Sequence, residues 1–411
     1  MKKNIIIISI VLIAISSIRL YSKDKIEKVI LDGSVPLVDF GIDSTRNWWA
    51  ITAPFTGQFR VWINGEESES YIDAEKLTFS PSGEKYAYFA RMNSGWNVVT
   101  NDDKISINAY EVGDIKFSRI GDKLAYSYTE SNQEYLYMNN NKIILNKRVG
   151  EFFINQRGNK YAYVSNRGNS YVMNINGKES HLYDGIKPMG FMQNDKFMYA
   201  AQNGNQWEVY SDDEVLTEAY QNISETKINN AGNTAAVIAQ LANNYFITVT
   251  FNDEYIEPIY SGQYDDLRYL TIHPNDALVA CSGMLNHSYF VLLNTTEYFA
   301  EENCQAPKFT HDGEELYFLS CRLSCFITIN GQKHKLPGFV STDVNFTKKP
   351  GAMSISYASA NSIVLQEITT GELYASIIID KIYDPIYNWK NNYYETVASI
   401  GDRLYLLGIR P

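Results

Sequence analysis

The sequence has no excess of positive charge. It contains 36 Lys and Arg against 47 Asp and Glu, which gives a formal net charge of −11. Proteins that bind nucleic acid usually present a basic surface to the phosphate backbone. The charge balance therefore argues against a nucleic-acid partner and favours a basic or neutral one.

The sequence also lacks the short motifs of common enzyme sites. It has no Gly-x-Ser-x-Gly elbow, no phosphate-binding loop, no His-Glu-x-x-His motif and no EF-hand loop. The five histidines are dispersed, and His273 and His311 occupy equivalent turns of successive repeats. Of three Asp-Asp pairs, Asp102-Asp103 and Asp212-Asp213 fall at predicted hairpin tips, where Asp is a common turn residue. We therefore assign no catalytic, cofactor-binding or metal-ligating residue, and expect no enzyme activity and no cofactor.

Cysteine is scarce and confined to one region. The four cysteines are Cys281, Cys304, Cys321 and Cys325. An even number in an exported chain predicts two disulfides. Cys321 and Cys325 flank a predicted hairpin loop and form the expected local pair, which leaves Cys281 with Cys304. A zinc site and free buried thiols are the alternatives, although a Cys-x3-Cys spacing without an adjacent His is unusual for zinc.

Long hydrophobic runs are absent except at the N-terminus. Lys2 and Lys3 precede an apolar run from Ile5 to Ile15, and small or polar residues follow as far as Ser22. This run is shorter than the roughly 20 residues that a membrane-spanning helix needs. The layout predicts a signal peptide over residues 1–22 and an exported domain over 23–411, in the periplasm or at the surface of a bacterial cell. An uncleaved membrane anchor is the alternative.

One phrase recurs along the chain: an apolar residue, a polar turn centred on Gly, and an aromatic-rich strand. Two clear copies are Phe79–Tyr88 and Phe117–Tyr126, and successive turn centres are 36 to 43 residues apart. The turn centres are Gly83, Gly121, Gly158, Asn194, Gly232, Asn275, Gly313 and Gly351. Such regular spacing is typical of a repeat architecture.

The second half of each unit adds another hairpin. A strand that starts with a large apolar residue follows each turn, and three such strands end in Asn-Gly, as at Asn64-Gly65. Asn-Gly favours the tight type I′ hairpin turn. Four short antiparallel strands in fewer than about 40 residues are typical of a β-propeller blade. We predict an all-β propeller of nine to ten units, in one large ring or two smaller ones, in which Ile26–Leu31 completes the last half-unit at Gly401–Leu406.

The repeat also resembles a known family. Phe79-Ser-Pro-Ser-Gly-Glu-Lys-Tyr-Ala-Tyr88 is similar to the F-S-P-D-G-K-x-I-A-Y signature of TolB-type, WD-repeat-like propellers. The resemblance is strongest over residues 79–166 and degenerate over about 40–360, and Ser82 replaces the usual Asp. It implies the fold. The α/β domain that precedes the propeller in TolB is absent here, so no TolB role is implied.

A propeller offers loops on two faces to a partner, which favours a non-enzymatic scaffold that binds another protein of the cell envelope. A glycan- or small-ligand-binding propeller is the first alternative, and predicts solvent-facing aromatics clustered on one face or in the channel. A lyase or hydrolase at the channel mouth is the second, and predicts polar residues with perturbed pKa values converging from several blades. The Trp and Tyr residues that begin the third strands, and the Trp48-Trp49 pair, are interpreted as packing between sheets.

Overall fold

The computed structural model describes residues 25–409 apart from short gaps. The gaps are 44, 46, 54–56, 243, 252–253, 302–303, 311–312, 337–344, 350–351, 360–361, 368–372, 376–380, 383–385 and 389–392. The predicted signal peptide, residues 1–22, lies outside the described residues. Within them the chain forms β-strands and no helix, and accordingly no helix long and apolar enough to span a membrane.

The strands form ten antiparallel sheets, numbered here as blades 1–10 in chain order. In each of blades 1–9, four consecutive strands pair in sequence order. Blades 1–3 contain β2 to β13: Leu37–Ile42, Trp48–Thr52, Arg60–Ile63 and Glu66–Glu67; Asp73–Phe79, Tyr86–Met92, Gly95–Thr100 and Lys104–Ile107; Glu111–Phe117, Leu124–Glu130, Gln133–Met138 and Asn141–Leu145. Blades 4–6 contain β14 to β25: Arg148–Ile154, Tyr161–Asn166, Tyr171–Ile175 and Lys178–Glu179; Gly185–Phe191, Phe197–Asn203, Gln206–Ser211 and Glu214–Val215; Asn222–Ile228, Thr234–Leu241, Asn244–Phe251 and Glu254–Tyr264.

The remaining blades follow the same plan until the last. Blades 7–9 contain β26 to β37: Asp266–Ile272, Val279–Leu285, Ser288–Leu293 and Thr296–Ala300; Lys308–Phe309, Leu316–Cys321, Cys325–Ile329 and Gln332–Lys335; Asn345–Lys349, Ala352–Ser359, Ser362–Glu367 and Leu373–Ala375. Blade 10 combines both ends of the chain: β1 (Lys25–Leu31) with β38 (Lys381–Ile382), β39 (Ile386–Asn388), β40 (Tyr393–Ile400) and β41 (Arg403–Ile409). The predicted fold class, a β-propeller of four-stranded antiparallel blades, is confirmed.

Local turn chemistry explains why the strands reverse where they do. Asn64 and Gly65 have φ angles of 53° and 97°, so both central residues of this turn are left-handed. Asn and Gly tolerate that region better than other residues do, which is the basis of the type I′ hairpin preference. The Asn-Gly dipeptide thus joins β4 to β5 in two residues.

Hydrophobic cores lie between neighbouring blades. Phe89 of blade 2 packs against Tyr126 of blade 3, and Phe197 of blade 5 packs against Phe153 of blade 4. Because each sheet has a neighbour on both sides, second strands are buried on both faces, as in Tyr86–Met92. Adjacent residues of one strand can then both be covered: Trp48 contacts the core shared with blade 10, and Trp49 packs on the core shared with blade 2.

The two ends of the chain close blade 10. β1 pairs with β41 in antiparallel register, from Lys25 opposite Ile409 to Leu31 opposite Leu404. Blade 10 then packs on blade 1, where Val397 and Leu404 share a core with Phe40 and Trp48. Blade 1 therefore lies between blades 2 and 10, which corresponds to the one-ring alternative.

The first strand of each blade faces the centre of the ring. Successive first strands contact one another, as β18 with β22 and β22 with β26. Since each blade has four antiparallel strands, the chain starts and ends every blade at the same side of the ring. We call this side the loop face, which carries the turns between second and third strands and the loops between blades. The opposite side, with the Gly-centred turns, is the turn face.

Candidate functional site

Polar side chains link neighbouring turns on the turn face. Asn155 Nδ2 donates a hydrogen bond to Asp195 of the next blade at 2.7 Å. Asn229 Nδ2 lies 3.1 Å from the carbonyl oxygens of both His273 and Pro274. His273 Nε2 in turn lies 3.1 Å from the Gly313 carbonyl. These groups hold one turn to the next, so the Gly-centred turns have a structural role and His273 contributes to it.

The inner strands of blades 1–7 each contain a bulge or register irregularity. Charged groups cross from blade to blade there. The Lys116 ammonium contacts Glu151 at 2.5 Å and the Phe152 carbonyl at 2.8 Å. The Glu225 carboxylate accepts hydrogen bonds from the backbone N–H groups of Tyr269 and Leu270 at 2.7 and 2.8 Å. The sequence analysis did not predict these charged contacts between the inner strands of neighbouring blades.

A sequence signal for these bulges does exist. Gly113 and Gly150 fall inside two of the register shifts, and an isolated Gly in a strand often marks a bulge. The other bulges contain larger residues, and Tyr269 adopts a φ angle of 61° there. The positions of glycine in the sequence therefore identify only some of these bulges.

The four cysteines form one disulfide among the described residues. Cys321 and Cys325 are bonded, with Cα atoms 4.1 Å apart, at the end of the hairpin between β31 and β32. The expected pairing of Cys281 with Cys304 is wrong, because both are free and buried. Cys281 faces the core between blades 6 and 7, whereas Cys304 contacts Ser282 and faces blade 8. Neighbouring residues of a strand point to opposite faces, so blade 7 separates the two sulfurs.

The free thiols lead to a countable expectation. Burial raises the pKa of the Cys304 thiol to about 11 and also raises that of Cys281. Since the thiolate is the reactive form, neither thiol should react with Ellman's reagent in the folded protein at pH 8. We expect two reactive thiols in urea and four after reduction. A count of zero in urea would instead indicate a second disulfide, and Cys304→Ala should lower the urea count to one.

Exposed apolar residues occur on the loop face of several blades. Five of the large hydrophobic side chains that the structure shows exposed lie in its interblade loops or at its turns. They are Ile72, Tyr110, Leu182, Leu241 and Leu323, with exposed fractions of 43%, 85%, 63%, 36% and 89%. Binding residues concentrate on loops, so these five side chains are candidates for an interaction surface.

Leu323 is the most exposed of them, and the disulfide holds it in place. It lies between Arg322 and Ser324 in the three-residue loop that the Cys321–Cys325 disulfide closes. The Arg322 N–H donates to the Ser324 carbonyl at 3.2 Å, which further fixes the loop. Equivalent turns in other blades carry polar residues, such as Asn93-Ser94 and Ser131-Asn132. A leucine between two cysteines, where other repeats have Ser or Asn, is the sequence signal that identifies this tip.

The remaining candidate residues from the sequence lie in turns or in the cores between blades. Asp102-Asp103 and Asp212-Asp213 occupy the turns before β9 and β21. Trp96 is buried between blades 2 and 3, and Trp207 packs on the core between blades 5 and 6. His311 lies outside the described residues. In the part of the chain that the structure describes, no three His, Cys, Asp or Glu residues form a group suited to a metal ion.

Burial is the main cause of the pKa shifts of the described tyrosines and free cysteines. Packing between sheets raises the pKa of the Tyr88 and Tyr199 hydroxyls. On the inner strands, burial and the nearby Asp73 raise the pKa of Glu75, and burial lowers that of Lys187. Glu75 and Lys187 belong to blades 2 and 5, so these two groups do not share a site.

No family model matches the sequence, and no curated protein matches it. A crystal structure of the eukaryotic initiation factor is similar over 78% of this chain and 90% of its own, with 11% identity and a TM-score of 0.46. The structure of the Dos1 propeller is similar over 82% of this chain and 92% of its own, with 10% identity and a TM-score of 0.41.

Proposed function

We propose that this protein is an exported, non-enzymatic propeller scaffold that binds another protein of the cell envelope through its loop face. The observation that carries the proposal is the disulfide-closed tip that presents Leu323 to solvent at 89% exposure. A loop whose backbone is already closed by a disulfide loses little entropy on binding, so an apolar side chain on such a tip favours affinity. Tyr110 and Leu182 on the same face would extend the contact.

Two further properties support export and a protein partner. Disulfides persist in oxidising compartments outside the cytosol, which suits the predicted leader at residues 1–22. The net charge of −11 favours a partner with basic or neutral patches. We also propose that the scaffold is of the TolB type, because Phe79–Tyr88 resembles the signature of those propellers.

The test is a capture experiment with matched variants. The purified oxidised protein, its Leu323→Asp variant and its Ile144→Asp variant are exposed to envelope extract, and bound proteins are quantified by mass spectrometry. Ile144 is 52% exposed on the outer strand β13 of blade 3, whereas Leu323 is on blade 8, so the Ile144 variant controls for added charge. We expect Leu323→Asp to lower capture of the partner about tenfold or more, and Ile144→Asp to leave it unchanged.

Two results would contradict the proposal. One is that no protein is enriched by the unmodified chain. The other is that all three baits capture the same proteins to the same extent, which would place any contact outside the blade 8 tip. A positive result is completed by measuring the affinity of the purified partner for each variant.

A further inference from the structure

A cavity opens where the inner strands of blades 6, 7 and 8 approach the turn face. Its volume is about 490 Å³, within the range of small-molecule pockets. Lys227, Thr271 and Lys308 line it together with Ile272 and Phe309. None of the ten described residues that line it is Asp or Glu. The described lining therefore carries two positive charges and no negative one.

The three polar residues occupy one structural position in three successive blades. Lys227 lies opposite Ala236, Thr271 opposite Ala280, and Lys308 opposite Tyr317, each one residue before the end of its first strand. The residues that follow them, Ile228, Ile272 and Phe309, pack on the cores between blades. Neighbouring residues in a strand point to opposite faces, so the three polar side chains point away from those cores.

In blade 3 the lysine at the same position is neutralised by a carboxylate. Lys116, opposite Ala125, has the position of Lys227, and its ammonium pairs with Glu151 on the bulge of blade 4. In blade 7 the residue equivalent to Glu151 is Tyr269, because Thr271 and Phe153 occupy the same register. Lys227 therefore lacks the carboxylate that neutralises Lys116.

The nearest acidic residue on the same strand is already engaged. The Glu225 carboxylate accepts two hydrogen bonds from the blade 7 backbone, at Tyr269 and Leu270. Among the described residues no carboxylate pairs with Lys227, which is solvent-exposed at the cavity. An ammonium and a threonine hydroxyl that line one cavity are a combination that recognises oxyanions.

We propose that this cavity binds a small molecule through a carboxylate or phosphate group held by Lys227 and Thr271, with Lys308 adding positive charge to the lining. The anionic group accepts hydrogen bonds from the Lys227 ammonium and the Thr271 hydroxyl, and the carbon part of the ligand lies against Ile272 and Phe309. The site is at the turn-face end of the first strands of blades 6, 7 and 8. It is independent of Leu323, which lies on the opposite face.

Calorimetric titration with inorganic phosphate and with citrate tests the assignment, at low ionic strength and with neutral glucose as the control probe. We expect at least one anion to bind in the millimolar range or tighter, and glucose not to bind. Lys227→Gln should weaken binding about tenfold, Lys308→Gln should weaken it less, and the double variant should abolish it. Lys116→Gln is the matched control and should bind like the unmodified protein. Lys227→Arg should retain binding.

Each outcome decides the matter. Binding of phosphate alone or citrate alone supports the site and identifies the group it prefers. Absence of binding by both anions would overturn the proposal, as would equal weakening by Lys116→Gln and Lys227→Gln, since that would show a general charge effect. Unchanged thermal unfolding of the Gln variants confirms that folding is not the cause.

Discussion

Replacing Phe197 with alanine is expected to lower the free energy of unfolding by about 3–5 kcal/mol, as is usual for a fully buried Phe. Phe197 is 0% exposed and lies between blades 4 and 5. Its ring makes edge contacts with Phe191 at 4.9 Å and with Phe153 at 5.3 Å between centroids. Alanine would leave a cavity that two rigid sheets cannot fill. Urea titration followed by circular dichroism measures the change.

Phe299→Ala is the control for this experiment. Phe299 lies on β29 with 68% of its surface exposed, so the same substitution there should change stability by less than about 0.5 kcal/mol. A loss below about 1 kcal/mol at Phe197 would be incompatible with a packed interface between blades 4 and 5.

Removing β1 is expected to have the second large effect. A chain that starts at residue 32 loses the strand whose backbone pairs with β41, together with Leu31 in the core shared with blade 1. We expect the thermal midpoint to fall by roughly 5–10 °C relative to a chain that starts at residue 25. The exposed edge of β41 should also promote self-association, visible by size-exclusion chromatography, because unpaired strand edges recruit other strands.

A synthetic peptide with the sequence of residues 25–31 provides the decisive control. Added in excess, it should occupy the vacant edge of β41, raise the thermal midpoint and reduce self-association. A scrambled peptide of the same composition should do neither. If the shortened chain were as stable as the longer one, ring closure by β1 would not contribute to stability.

The repeat made most of the fold predictable. The phrase at Phe79–Tyr88 contains the end of β6, the Gly-centred turn and the start of β7. The Asn-Gly at 64–65 predicts the other kind of turn, between the third and fourth strands of a blade. Local sequence determines these features because turn residues and strand periodicity act over a few positions. The match of Ile26–Leu31 to an outer strand relied on the same pattern.

The pairing of Cys281 with Cys304 failed for a reason that local sequence does not contain. Whether two sulfurs meet depends on which face of blade 7 each side chain takes, and that is set by strand register. Cys321 and Cys325 are opposite one another in a single hairpin, so proximity along the chain was sufficient there.

The cationic cavity was also beyond sequence reasoning, although half of it is encoded in the repeat. Aligning the repeats would place Lys227, Thr271 and Lys308 at one position. The missing carboxylate is visible only once the bulge brings Glu151 next to Lys116 and Tyr269 to the corresponding place in blade 7. A bulge shifts the following side chains by one residue. Most of the bulges in the inner strands contain no glycine, so the sequence does not reveal them.

The closure of blade 10 also has a consequence for the order of folding. β1 is the first of the described strands to be synthesised, yet its partner β41 is the last. Blades 1–9 consist of strands that are neighbours in sequence and can form locally, whereas this pairing joins residues more than 370 positions apart. Contacts between such distant residues form slowly because closing a long loop costs entropy. We therefore expect ring formation to be the final step of folding, and the facing surfaces of blades 1 and 10 to stay accessible to chaperones and proteases until then.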